Sequence, residues 1–201
     1  MRVETISRDL YHFNELSDRA KEKAIEKLRG INVDDFAWYD SDYEDFTAIC
    51  KLVGIEIDKI YFTGFSSQGD GACFTGNFKH VSNALELVRA YAPKDEKLHS
   101  AIQYLQDNSN RIGATIKHND RYYHENSVDI DVYNIDADGY ETVYFSVTNE
   151  TVKHVKQALR DIMRWMYGQL QAQSEYLTGD EAVIETIEAN ECEFTAEGKL
   201  A

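Results

Sequence analysis

Two periods of hydrophobic spacing share this chain. Apolar residues that recur every three or four positions predict helices, and apolar residues that alternate predict strands. Helical spacing covers residues 18–29, with Ala20, Ala24, Ile25 and Leu28 on one stripe, Ser17 as a cap and Gly30 as a stop. It returns over 40–53 through Tyr43, Phe46, Ile49, Cys50 and Val53, and over about 81–91 and 95–110 on either side of Ala92-Pro93. Over 149–176 a broad apolar face runs through Val152, Val155, Leu159, Ile162, Met163, Met166 and Leu170. Thr178-Gly-Asp-Glu181 has capping-box spacing and opens a last helix to about 189.

Strand patterns fill the intervals. Residues 2–13 alternate loosely and predict one strand or two short ones. Segments 55–65 and 72–78 flank a turn at 66–71, and 114–124 pairs with 128–135. A tight turn at 136–139 leads to 140–147, and 192–195 makes a short final strand. Short turns between consecutive strands predict an α+β fold: a mainly antiparallel sheet of about five to seven strands with helices packed on one face. Pro93 is the one proline, so no proline-rich linker divides the chain. Residues 1–201 read as a single α+β domain, with 149–201 as a C-terminal helical part ending in a short strand.

Composition adds a core and a compartment. A hydrophobic share of 43%, with 13 Tyr and 9 Phe, is enough to bury a core and argues against disorder. Cys50, Cys73 and Cys192 are widely spaced and form no Cys-x-x-Cys pair, which predicts a reduced, cytoplasmic protein with thiols as small hydrophobes. The charged start predicts no signal peptide, and no apolar run approaches a membrane span.

Charge changes the picture most. The net charge is -15, and two segments account for it. Residues 34–58 carry Asp34, Asp35, Asp40, Asp42, Glu44, Asp45, Glu56 and Asp58 against Lys51 alone. Residues 175–197 carry Glu175, Asp180, Glu181, Glu185, Glu188, Glu191, Glu193 and Glu197 against no Lys or Arg. Such a field repels nucleic acid and anionic membrane and attracts basic protein surfaces. Glu181, Glu185 and Glu188 fall on one side of the last helix, and Asp40, Asp42, Glu44 and Asp45 open the second. These seven are the candidate partner-binding residues. The competing reading is that they form solvated faces, or are answered by the basic faces of 19–29 and 153–164 within the fold or between subunits. Trp38, in the acidic connector, is a candidate interface anchor.

Signals for chemistry are weaker. The loop Ser66, Ser67, Gln68, Gly69, Asp70, Gly71 is a candidate ligand loop, whose amides can meet a phosphate or whose Asp70 can help hold a metal. The alternative is a structural turn in which the glycines supply positive φ and Ser and Asp bond the local backbone. His118, Asp120, His124, Glu125, Asp129 and Asp131 gather histidine and carboxylate but lack compact metal-ligand spacing. Cys73 with His80 or His124 can be read as a nucleophile and base, against the simpler reading of a buried strand cysteine. No residue is assigned a catalytic or metal-binding role, and no cofactor is implied.

Three segments carry a resemblance: Tyr11-His-Phe-Asn-Glu-Leu-Ser-Asp-Arg-Ala-Lys-Glu-Lys-Ala24, Ile60-Tyr-Phe-Thr-Gly-Phe-Ser-Ser-Gln-Gly-Asp-Gly-Ala-Cys-Phe74 and Ala189-Asn-Glu-Cys-Glu-Phe-Thr-Ala-Glu-Gly198. They resemble a family of small phage and prophage proteins loosely labelled "antitoxin of toxin–antitoxin stability system". The resemblance implies a mobile-element origin and a bacterial cytoplasm as workplace, and transfers no catalytic residues. By analogy it implies an inhibitor that binds a host factor, defence complex or toxin. The expectation is therefore an acidic protein-binding inhibitor whose partner has a basic, nucleic-acid-binding surface. It contacts neither nucleic acid nor membrane directly, and self-association is compatible with it. The alternative is a nucleotide- or metal-binding protein that uses loop 66–71 with strands 118–131.

Overall fold

The alternating segments between 55 and 142 fold into one antiparallel meander. The computed structural model describes residues 9–119, 122–142 and 146–201, without the side chains of Phe36 and Ala37. Its contacts divide the chain into two compact units, one of residues 41–171 and one of residues 1–40 with 172–201.

The larger unit holds a five-stranded sheet in the order β2-β3-β4-β5-β6, formed by Ile55–Phe62, Ala72–Lys79, Ile112–His118, Val128–Ile135 and Glu141–Thr142. Cross-strand partners share a face, so Ile55, Phe78, Ala114 and Val132 align, as do Ile57, Gly76, Ile116 and Ile130. Of these, Ile55, Phe78, Ala114, Ile116 and Ile130 are buried. The opposite face aligns Glu56, Asn77, Thr115 and Asp131 and pairs Lys117 with Asp129. That polar-apolar split is the alternation of the sequence made solid.

Four helices pack with this sheet: α2 (Asp40–Leu52), α3 (Ala84–Tyr91), α4 (Glu96–Asn108) and the greater part of α5 (Asn149–Leu177). Phe46 of α2 meets Phe74 of β3 at 5.7 Å between ring centroids and stacks on Trp165 of α5 at 5.8 Å. Val88, Leu98, Ile102, Leu159, Ile162 and Met163 are shut off from solvent, each worth about 1.5–3 kcal/mol of burial. Helix α3 stops before Ala92-Pro93. Asp95 then caps α4 by accepting from the Leu98 amide at 3.0 Å. β2 is an edge strand, irregular between Ile57 and Lys59 and carrying exposed Glu56, Asp58 and Lys59, features that discourage further strand pairing. Gly76 has φ +148 and lies where a Cβ would come within 2.0 Å of the Glu56 carbonyl, so β3 passes β2 closely only as glycine.

The smaller unit pairs β1 (Tyr11–His12) with β7 (Glu193–Phe194) and sets α1 (Asp18–Leu28) against α6 (Asp180–Ala189). Its core is Phe13, Leu16, Ala20, Ala24, Val183, Ile187 and Phe194, with Phe13 edge-on to Phe194 at 6.3 Å. Arg29 donates to the Thr178 carbonyl at 3.0 Å and to Asp180 at 2.9 Å, and Asn32 donates to the Leu177 carbonyl at 2.9 Å. These bonds fix the two-residue break between α5 and α6.

The expected α+β class and antiparallel sheet are what the chain forms. Several element ends differ. β2 stops at Phe62, because the Thr63 amide instead bonds the Gly71 carbonyl and closes the turn. β4 runs over Ile112–His118 and not 114–124, since Asn119 bonds Ser127 and the chain turns there. The capping box at Thr178 does not form. Gly179 occupies the cap, and the Thr178 hydroxyl donates to the Ser174 carbonyl at 2.7 Å. Residues 1–8 of the expected first strand and 143–145 of the 140–147 strand lie outside the described residues. Among the described residues no helix is long and apolar enough to cross a membrane.

Candidate functional site

Glu181, Glu185 and Glu188 recur four and three positions apart on α6, so they share one face. The other face is pinned by Val183 and Ile187, both wholly buried. All three glutamates are exposed, and none forms an ion pair with a described residue. The basic face of α1 answers the neighbouring Asp180 through Arg29 at 2.9 Å and leaves these three unneutralised.

The α2 carboxylates sit differently. Asp40, Glu44 and Asp45 are exposed, and Asp42 is half-buried. Asp45 accepts a hydrogen bond from the Tyr91 hydroxyl at 2.8 Å, and this bond lifts the Tyr91 phenol above the usual tyrosine range. Burial, and secondly the charge of Asp45, pushes the Asp42 carboxyl above the ordinary aspartate range. One Asp42 oxygen is shut off from solvent and has no hydrogen-bond partner. Asp42 and Asp45 border a cavity of about 270 Å³, walled by Phe46, Tyr91, Trp165 and Gln169 among others. The Trp165 indole N–H donates to Asp95 at 2.6 Å, which fixes the ring in that wall. Among the described residues the basic face expected over 153–164 forms no ion pair with these carboxylates, and Arg164 pairs with Asp161 and with Glu125 at 3.0 Å.

In the loop 66–71, Asp70 turns inward on its own backbone. It accepts from the Ser67 amide at 2.6 Å and the Ser66 amide at 2.9 Å, and these bonds hold its carboxyl below the ordinary range. The Gly71 amide donates to the Thr63 hydroxyl at 3.3 Å. Ser66, Ser67 and Gly71 therefore spend their amides locally. Gly69, with φ +103, lies against the Tyr122 ring, and Gly71 against the backbone and Cβ of His124. Gln68 is exposed in the same loop.

The loop and the 118–131 region thus meet, but the histidines and carboxylates there do not converge. His118 bonds the Tyr122 carbonyl at 2.8 Å and stacks on Tyr61 at 4.4 Å. His124 accepts from the Asn126 amide at 3.0 Å, Glu125 pairs with Arg164, and Asp129 and Asp131 lie exposed on β5. Asp120 lies outside the described residues. Among the described residues no three metal-ligating side chains come together. Cys73 is wholly buried, and burial raises its thiol to about 12, so the nucleophilic thiolate is suppressed. His80 bonds the Ser109 hydroxyl at 3.0 Å. Trp38 is half-buried beside Tyr39, at 5.2 Å between rings.

Sequence reasoning placed the α2 acids but missed Tyr91, Asp95 and Trp165. Each stands in another element, and no local motif joins them. Trp165 both packs on Phe46 and donates its indole N–H to Asp95.

Residues 38–180 match the family described as a domain of unknown function, DUF8835, and the chain belongs to it. The match takes in α2, the sheet and α5 and ends one residue before Glu181. No curated protein and no solved structure matches the chain.

Proposed function

We propose that this DUF8835 protein binds a basic surface on another protein through the exposed carboxylates of α2 and α6. One observation carries the reading: none of Asp40, Asp42, Glu44, Asp45, Glu181, Glu185 and Glu188 forms an ion pair with a described residue. Unneutralised carboxylates on a chain of net charge -15 draw in cationic surfaces at long range and set the docking rate. Surfaces built for nucleic acid are the natural target, since they are shaped to bind dense negative charge. The partner is a host factor, defence complex or toxin of the bacterial cytoplasm, and binding blocks it.

Affinity capture from bacterial lysate at low and high salt tests this, in parallel with the Glu181→Lys/Glu185→Lys/Glu188→Lys variant. The expected result is a stoichiometric partner released at high salt and lost in the variant. A partner held equally by both forms overturns the reading, as does none at either salt.

A second reading draws on the contact of Gly69 with Tyr122 and of Gly71 with His124, which joins the loop to the strands. It is a nucleotide- or metal-binding site at 66–71 and 118–131. Thermal shift with nucleotides and divalent cations tests it, because a specific ligand raises the melting temperature by mass action. No shift across the panel rejects it.

A further inference from the structure

We infer that the cavity bordered by α2, the α3–α4 connection and α5 is a receptor for the side chain of an arginine on the partner's basic surface. The inference deepens the proposed function and rests on it.

The lining joins three carboxylates, Asp42, Asp45 and Asp95, to Tyr43, Phe46, Tyr91, Trp165 and apolar side chains, with no Lys, Arg or His among them. Asp95 has spent both oxygens, on the Leu98 amide and the Trp165 indole, so it builds the wall. Asp45 has spent one oxygen on Tyr91. Asp42 has one enclosed oxygen with no hydrogen-bond donor from the protein. A buried acceptor without a donor is costly, and a charged donor removes that cost with the strongest kind of hydrogen bond. The Asp42 Cβ–Cγ torsion is broad, so a partial turn brings the enclosed oxygen toward a donor entering the cavity. Asp42 and Asp45 lie three residues apart on α2 and offer their acceptors from one face.

The walls select the kind of cation. A small hydrated metal ion wants several oxygen ligands held together, and here the lining beyond the carboxylates is aromatic and apolar apart from Gln169. Guanidinium is flat, weakly hydrated, stacks on aromatic faces and gives two parallel N–H groups to a carboxylate. Ammonium is compact and strongly hydrated, and loses more on entering such walls. The volume, about 270 Å³, is below the roughly 300–1,000 Å³ of sites for drug-sized ligands and suits one side chain.

The test titrates the full chain with N-acetyl-arginine amide and follows the indole N–H resonance of Trp165, assigned with Trp165→Phe. The expected result is a saturable shift with a dissociation constant on the order of 1 mM. The lysine counterpart should bind about 10-fold more weakly, and the uncharged citrulline counterpart should not saturate. Asp42→Asn should weaken arginine binding at least about 10-fold. The inference is overturned if arginine gives no saturable shift, if citrulline binds as well, or if Asp42→Asn binds unchanged. Should Asp42→Asn fail to fold, the arginine–citrulline comparison on the natural chain decides alone. The Glu181→Lys/Glu185→Lys/Glu188→Lys variant should keep the arginine shift. If it does so and still captures its protein partner, the cavity stands and the role of α6 falls.

Discussion

On α6, Glu181, Glu185 and Glu188 stand exposed above a buried stripe of Val183 and Ile187; on α2, Asp42 borders a cavity and Asp45 is held by Tyr91. Both helices carry carboxylates opposite an apolar stripe, and both face charge outward by the same 3.6-residue arithmetic. What separates them is the neighbouring element. No described residue of the smaller unit forms an ion pair with the three α6 glutamates, so their charge acts through solvent, at long range and screened by salt. The end of α3, the α3–α4 connection and α5 border Asp42 and Asp45 on one side, so these two act at short range, where desolvation and geometry decide. In the proposed reading, equal charge in sequence becomes a steering surface in one place and a recognition pocket in the other. The family match contains α2 and ends before the α6 glutamates.

The largest effect falls on the stripe that presents α6. Ile187→Ala should cost about 3 kcal/mol, since the side chain is wholly buried in the core of the smaller unit. Chemical denaturation measures it, and a cost under about 1 kcal/mol would mean that α6 is not held by this stripe. Next comes the charge itself. Glu181→Lys/Glu185→Lys/Glu188→Lys should weaken partner binding on the order of 100-fold at low salt and leave the melting temperature within a few degrees. The same triple change should move arginine-amide binding little. If the two responses track each other, the distinction between steering surface and pocket is broken.

Much of this comparison was legible in the sequence, and the missing part has one cause. The α6 face follows from periodicity alone, because Glu181, Glu185 and Glu188 alternate with Val183 and Ile187 in a single helix. The sheet was legible for the same reason: Ile55, Phe78, Ala114 and Ile130 each sit in a locally alternating run. Strand ends were not, because the bonds that end β2 and β4, Thr63 to Gly71 and Asn119 to Ser127, join residues on opposite sides of a loop. The false capping box is a local pattern overruled by tertiary bonds, from Arg29 to Thr178 and from Asn32 to Leu177. The cavity was hidden most completely. Asp42, Tyr91, Asp95 and Trp165 come from three helices and a connection, and their meeting is a property of packing that no spacing encodes.

A smaller effect sharpens the α2 side. The Asp42 carboxyl is raised in the folded chain, so the folded state holds its proton more tightly than the unfolded state does. Stability from this group is therefore highest below the ordinary aspartate range and falls as pH rises through the raised value. Asp42→Asn removes that penalty and should raise the melting temperature at neutral pH by about 2 °C, a small shift because the group is half-exposed and screened. The gain should vanish in acid, where the natural residue is protonated too. A loss of stability at neutral pH would show that the charged form is already compensated, and the α2 acids would then resemble those of α6.

The smallest effect is spectroscopic. The Tyr91 phenol is raised chiefly because its hydroxyl donates to Asp45, and only secondarily by burial and the Asp45 charge. Removing the proton removes the hydrogen bond and sets a phenolate beside a carboxylate, so Tyr91 should titrate above the ordinary tyrosine range. Carbon-labelled tyrosine observed by NMR resolves this transition. Asp45→Asn should bring Tyr91 back toward the ordinary tyrosine range with no more than about 1 °C change in melting temperature, since both groups lie at the surface. The sign also fixes the stability term: a raised phenol favours the fold below the ordinary tyrosine range, and that support is lost as pH rises through the raised value. If Asp45→Asn leaves the Tyr91 titration unmoved, the bond does not hold Asp45 in solution. Asp45 would then be as free as Glu185, with both oxygens open to a donor entering the cavity.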